Sequence, residues 1–231
     1  MISSDDATRV EADESSRSLA GWKCSWTGTM KEELPSFDAL HRNTKALSVA
    51  LGYRDLLTRR HSERVHGLST ALGVRLRLSK QQLGILDIAA TFHDIGKIGI
   101  PDRILDKPSR LDDDERETMN QHATIGEKII AAAEIDGSQE AARIIRHHHE
   151  HFDGLGYPDK LGGDRIPICS RIISITDSYD AMAVTRPYHK ARTHREIMTI
   201  LDRETGTKHD PELMHIFCEF IESSIFIAAN S

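Results

Sequence analysis

Aromatic residues make up only 5% of this chain, cysteine is confined to three distant positions, and no long apolar run interrupts the sequence. Each scarcity removes a class of protein. Cys24, Cys169 and Cys218 are odd in number and form no CxxC pair, which excludes a disulfide framework and a thiolate zinc site. Without about 18 consecutive apolar residues there is no membrane-spanning helix to expect, and the opening MISSDDATRVEADESS lacks the basic-then-apolar order of a secretory leader. The expectation is a cytoplasmic protein with no membrane association. A basic excess is missing too. The net charge of -6 and pI near 6.1 argue against a binder of DNA or RNA polymers, which would carry cations to meet phosphates. A small anion stays open as a substrate wherever bound metal supplies local positive charge.

What is present is helical patterning over one core-sized length of 231 residues. Residues 1–36 are rich in Ser, Asp and Glu without an apolar period and read as a mobile tail, with Trp22 and Trp26 as local anchors. Residues 37–231 read as a single helical domain. Leu40, Leu47, Ala50 and Leu51 mark one amphipathic helix, and Val65, Leu68 and Leu72 a second with His61 near its start. Ser79 and Gln82 form a capping-box signal for a helix ending near Gly96, which puts His93 and Asp94 in its last turn. The segment GIPDRILDKPSRL reads as a long loop, followed by a helix that Asp112–Glu115 open and that carries His122. Another helix spans about Ser138 to Glu150 and delivers histidines to the loop FDGLGYPDKLGGDRIP, whose glycines and prolines forbid regular helix. Helices return over Pro167–Val184, after the capping pair Thr193 and Glu196, and from Pro211 to about Ser223. Strand signals are scarce, so the fold class is all-α: a helical bundle with a Gly/Pro-rich loop walling its site.

Thirteen histidines is a high count, and any one of them alone is more often a core or surface residue than a ligand. Their order is what carries information. His61, His93, Asp94, His122, His148, His149 and Asp177 offer imidazole and carboxylate donors without thiolate, a set suited to iron, manganese or zinc and away from structural zinc. Seven donors exceed what one ion with an open position takes, but two ions roughly 3.5–4 Å apart, bridged by Asp94, use them and leave room for water and substrate. Successive helical residues diverge by roughly 100°, so the adjacent pairs can reach different ions. Two divalent cations against two aspartates leave positive charge, to which Lys97 adds, facing an anion. A water bridging such ions is acidified toward neutrality and can attack phosphorus in line, with Lys97 stabilising charge on phosphate oxygens. His41, His66, His194 and His215 are left as ordinary histidines, and His147, His151 and His209 have no assigned role.

The order HSERV, HDIGKIGIPDRILDKP, QHATIGE, HHEHFDGLGYPDKLGGDRIP, RIISITDSYDAM, RPYHKA and TGTKHDPEL resembles the HD-GYP family, a branch of the HD-domain phosphohydrolases, over about residues 55 to 222. The resemblance implies an all-helical phosphodiesterase that opens cyclic di-GMP to linear pGpG, and onward to GMP in many members, at a metal centre that is commonly iron. It makes the same seven residues the metal ligands, sets Lys97 against the scissile phosphate with Asp94 as the other catalytic group, and gives Tyr157 and Arg186 to the nucleotide, Arg186 through its planar fork. Iron is expected first, manganese next and zinc last. A protein partner docking through the GYP loop is also implied. The chain departs from the pattern at Leu57, where relatives with a third metal have Glu, so two ions are expected. It departs again at His189, where a basic residue is common, and at His151, where Arg is frequent. His189 makes the phosphate grip weaker or pH-dependent. Two other readings follow: a catalytically weak module that binds cyclic di-GMP and signals through a partner, and an enzyme for another cyclic dinucleotide or a nucleotide monophosphate ester.

Overall fold

The structure, a computed structural model, describes residues 56–134, 136–184 and 190–228, together with residues 47, 49, 50, 52 and 53. The expected tail over 1–36, most of the first amphipathic helix, and Arg186 and His189 lie outside the described residues. So does the side chain of Leu57.

Among the described residues the chain is helical, with Thr205 and His209 making one isolated bridge and no strand. Helix α1 runs Leu56–Arg75, α2 Lys80–Phe92, α3 Asp102–Leu105, α4 Asp113–Asn120, α5 His122–Ala131, α6 Ser138–Arg146, α7 Ile168–Ala183, α8 His194–Glu204 and α9 Pro211–Glu222. The capping boxes at Ser79/Gln82 and Thr193/Glu196 form as their sequences predict. A third forms at Asp112 and Glu115, where the two side chains take each other's backbone N–H groups and so fix the start of α4.

Packing follows the apolar stripes. Val65, Leu68 and Leu72 of α1 meet Leu86, Ile88 and Ala89 of α2 and Ile172 and Ile175 of α7 in one core, which Ile145 of α6 and Phe217 of α9 extend. α1 packs on α2 and α7, α2 on α6, and α5 on α6 and on a 3-10 segment, Ile95–Gly99. Because α1, α2, α6 and α7 share this core, their polar residues at one place on its edge are held by packing rather than by loop contacts.

Four boundaries differ from the sequence reading. α2 ends at Phe92, not near Gly96, so His93 and Asp94 sit at the joint between α2 and the 3-10 segment. The expected loop after Gly99 contains the single turn α3, started by Pro101, whose fixed φ suits a helix entry. The helix expected to run from Asp112 through His122 is two: Gln121 N–H bonds back to Thr118 O, tightening the chain, and α5 restarts at His122. α6 stops at Arg146, leaving His147–Glu150 in the following turn.

Candidate metal centre

Seven side chains from five places in the chain meet beside α1, α2, α5 and α7. The Nε2 of His61 lies 2.8 Å from Asp177 Oδ1. His61, His93 and Asp94 bring donor atoms within 4.8 Å of one another, and so do His122, His148 and His149. Asp94 touches both groups, with Oδ2 3.5 Å from His93 Nε2 and Oδ1 3.6 Å from His122 Nε2. The imidazoles form a chain of ring contacts from His61 through His93, His148 and His122 to His149, with centroids 5.0–5.4 Å apart between those neighbours.

Local structure fixes the tautomers. The last carbonyls of a helix lack a helical N–H partner, and three histidines exploit this. The Nδ1 of His93 points at Ala90 O, that of His122 at Met119 O and that of His148 at Ile145 O, each three residues back in the final turn of α2, α4 and α6. A carbonyl only accepts, so each Nδ1 carries the proton and each Nε2 keeps a lone pair for the cleft. The breaks after Phe92, Asn120 and Arg146 therefore serve the site, because an unbroken helix would have used those carbonyls.

The resulting donor set fits cations. His122 Nε2 and His148 Nε2, both lone-pair nitrogens by this argument, face each other at 3.4 Å. His93 Nε2 is buried with no hydrogen-bond partner. Buried polar atoms left in this way are costly unless something binds them. Burial and neighbouring imidazoles push the His148 ring down to about 3, and burial likewise lowers His122 and His149, so these rings are neutral at neutral pH and free to accept a cation. Burial would protonate Asp94, but Lys97 and the surrounding histidines outweigh it and hold the carboxyl well below its usual range. Asp177 is held down in the same way by His61. His61 is the exception: burial lowers it, yet hydrogen bonds to Asp177 and Asp180 carry it up to about 9.

Lys97 Nζ donates to Asp94 Oδ2 at 2.7 Å from the 3-10 segment. This segment approaches α5 so closely that a Cβ on Gly96 would stand 1.9 Å from His122 O, which makes glycine obligatory there. Tyr157 stacks on His149 with centroids 4.9 Å apart, bringing the loop against the cluster. Gly156 is bound by the same logic: its Cβ would meet His151 N at 2.2 Å and His149 O at 2.5 Å. His147 turns away, its Nε2 2.8 Å from Asp159 Oδ2.

Sequence reasoning missed the residues that hold this frame. Glu150, 2% exposed, accepts from Asp159 N and Leu161 N and so clamps the loop. Arg146 grips both Asp159 oxygens at 2.7 Å and Glu127 at 2.6 Å. Asp180 meets His61 Nδ1 at 2.6 Å. Its signal was the spacing of Asp177 and Asp180, which puts both on one helix face. Of the histidines left as ordinary, His66 pairs with Asp87 and His194 with Tyr179 and Glu222, while His215 lies beside Glu219; the unassigned His209 lies beside Glu204.

A family model described as HD domain matches residues 45–213. A cyclic di-GMP phosphodiesterase of Thermotoga maritima is 39% identical over 78% of this chain and 49% of its own length. The cyclic di-GMP phosphodiesterase response regulator RpfG of Xanthomonas campestris is 38% identical over 71% of the chain and 44% of its own. A 3'3'-cGAMP-specific phosphodiesterase 2 of Vibrio cholerae is 34% identical over 80% of the chain and 35% of its own. The chain thus spans about half or less of these relatives. Among solved structures, the fold is similar to a cyclic GMP-AMP-specific phosphodiesterase of Vibrio cholerae, with TM-score 0.62 and 19% identity over 81% of this chain and 50% of that one. It is also similar to an HD-GYP protein of Bdellovibrio bacteriovorus, with TM-score 0.59 and 19% identity over 81% of this chain and 60% of that one.

Proposed function

This chain belongs to the HD domain family, in its HD-GYP branch, and from that premise we propose that it is a cyclic di-GMP phosphodiesterase, opening the ring to linear pGpG and onward to GMP. The observation that carries this is the meeting of His61, His93, Asp94, His122, His148, His149 and Asp177, with the Nε2 lone pairs of His93, His122 and His148 left for the cleft. His61, His93 and Asp177 would hold one divalent cation, His122, His148 and His149 a second, and Asp94 both. When bound, the pair supplies Lewis-acid activation of water and of the phosphodiester oxygens. Iron is our first choice and manganese the next, as the family resemblance implies; the mixed imidazole and carboxylate donors accept both.

The chain's own residues do the rest. Lys97 keeps Asp94 ionised, and with 18% of its side chain exposed it can turn a proton toward a non-bridging phosphate oxygen. Burial, with Asp177 and Asp94 nearby, keeps the Tyr157 hydroxyl protonated far above neutral pH, so it can donate to a phosphate or sugar oxygen. Arg186 and His189 are assigned to substrate binding by their motif positions. The domain is taken as residues 37–231 and the setting as cytoplasmic; among the described residues no helix is long and apolar enough to cross a membrane. Neither DNA nor RNA polymers are substrates in this reading, and the GYP loop is the surface offered to a protein partner.

The test is turnover of a cyclic dinucleotide panel by manganese- or iron-loaded protein under reducing conditions. Cyclic di-GMP is expected to be cleaved faster than 3'3'-cGAMP, the substrate of a second reading that some of the Vibrio relatives favour by name. Preference for 3'3'-cGAMP would move the substrate, and no cleavage of either would remove the enzyme.

A further inference from the structure

His61 stands apart from the carbonyl-tied His93, His122 and His148. It lies inside α1, five residues from its start, where each neighbouring carbonyl is already used by the helix ladder. No vacant carbonyl can take its Nδ1, so the ring needs a side-chain acceptor to fix its tautomer. Asp180 stands there, with Oδ2 2.6 Å from His61 Nδ1 and a side chain only 8% exposed. Asp180 is in turn fixed by Arg64, one turn along α1 from His61, whose Nε reaches Oδ1 at 2.7 Å and whose second nitrogen reaches Oδ2 at 2.9 Å. The paired bonds orient the carboxylate and keep it charged.

We propose that Asp180, held by Arg64, is a positioning residue that sets His61 to bind metal through Nε2. The inference rests on the metal-centre reading above. Asp177 and Asp180 lie three residues apart on one face of α7 and flank the same ring, Asp177 at Nε2 and Asp180 at Nδ1. One aspartate shares the cleft with the ring while the other stands behind it. A carboxylate behind a ligating imidazole fixes its orientation and raises its basicity, and losing such a partner typically costs 10–100-fold in metal affinity.

The experiment is manganese titration of wild type, Asp180→Asn, Asp180→Glu and Arg64→Gln, with thermal melts to confirm folding. It is joined to 15N ring shifts of His61 in the zinc-loaded wild type. Asp180→Asn is expected to weaken one of two manganese sites roughly 10–100-fold and leave the other unchanged. Asp180→Glu should recover part of the loss, and Arg64→Gln should show a smaller one. The His61 ring should show a protonated Nδ1 and a metal-bound Nε2. If wild type binds two manganese ions and Asp180→Asn binds both equally well, this inference is wrong and the metal centre stands. If wild type binds none, both fall. Should Asp180→Asn not fold, the wild-type ring shifts and Arg64→Gln decide: coordination through Nδ1, or unaltered binding in Arg64→Gln, overturns the role.

Discussion

Each side chain of the candidate centre carries a distinct protonation task, and these tasks predict separable effects. Lys97 touches Asp94 yet is not itself a donor to a cation, so Lys97→Met is expected to retain metal while its turnover number falls roughly 10²–10³-fold, the range for losing one preorganised charge partner. Metal analysis beside steady-state kinetics checks this; loss of metal would recast Lys97 as a prop for Asp94. His61 predicts a pH signature. Its folded-state value of about 9 lies above the ordinary 6.5, so the stability its ring gives the metal-free fold is complete below about pH 6.5 and is lost as pH rises through about 9. The same proton competes with a cation for Nε2, so metal affinity should move the other way and rise over that window. Melts of metal-free protein and metal titrations at matched pH values test the two opposed trends; parallel trends would contradict the assignment. His148, already neutral down to about 3, adds nothing within that window.

The elements that carry the site are shaped by where helices stop. Ser79, Thr193 and the acids of α4 made helix starts readable, because a capping side chain is a local signal. The breaks after Phe92, Asn120 and Arg146 were less readable, since no glycine or proline marks them. They arise from tertiary demand: the rings of His93, His122 and His148 claim the carbonyls that a continuing helix would use. The GYP loop was legible as a loop, but its clamp was not, because Glu150 acts on the backbone of Asp159 and Leu161, about ten residues on. Glu150→Gln replaces one acceptor oxygen with a donor and leaves a loop N–H unpaired, a loss of about 1–3 kcal/mol in loop anchoring. It is expected to raise KM while metal content stays constant. Gly156→Ala should be harsher, destabilising the fold by about 1–3 kcal/mol through overlap with backbone at His149 and His151. Urea unfolding measures the second and kinetics the first; an unchanged KM in Glu150→Gln would detach the clamp from substrate binding.

At the scale of the whole molecule, an acidic chain with a net charge of -6 gathers five imidazoles and two carboxylates at one place, a donor set that would draw cations, and through them an anion, without spreading lysines over a surface. The all-helical class was readable from the apolar stripe of α1, the capping signals and the scarcity of strand signals, and the candidate residues of the centre were named from their order. The assembly was not readable, because which helix ends meet is decided by the shared core of Leu72, Leu86, Ile145 and Ile172. The central claim is that these distant residues together hold a pair of cations. Elemental analysis of anaerobically purified wild type, His93→Ala and Asp94→Ala, read beside cleavage of cyclic di-GMP, tests it most directly. The account predicts two metal equivalents per wild-type chain, and joint loss of metal and cleavage in both variants. A wild type that takes up no metal when iron or manganese is supplied, or a variant that retains both metal and turnover, would contradict it.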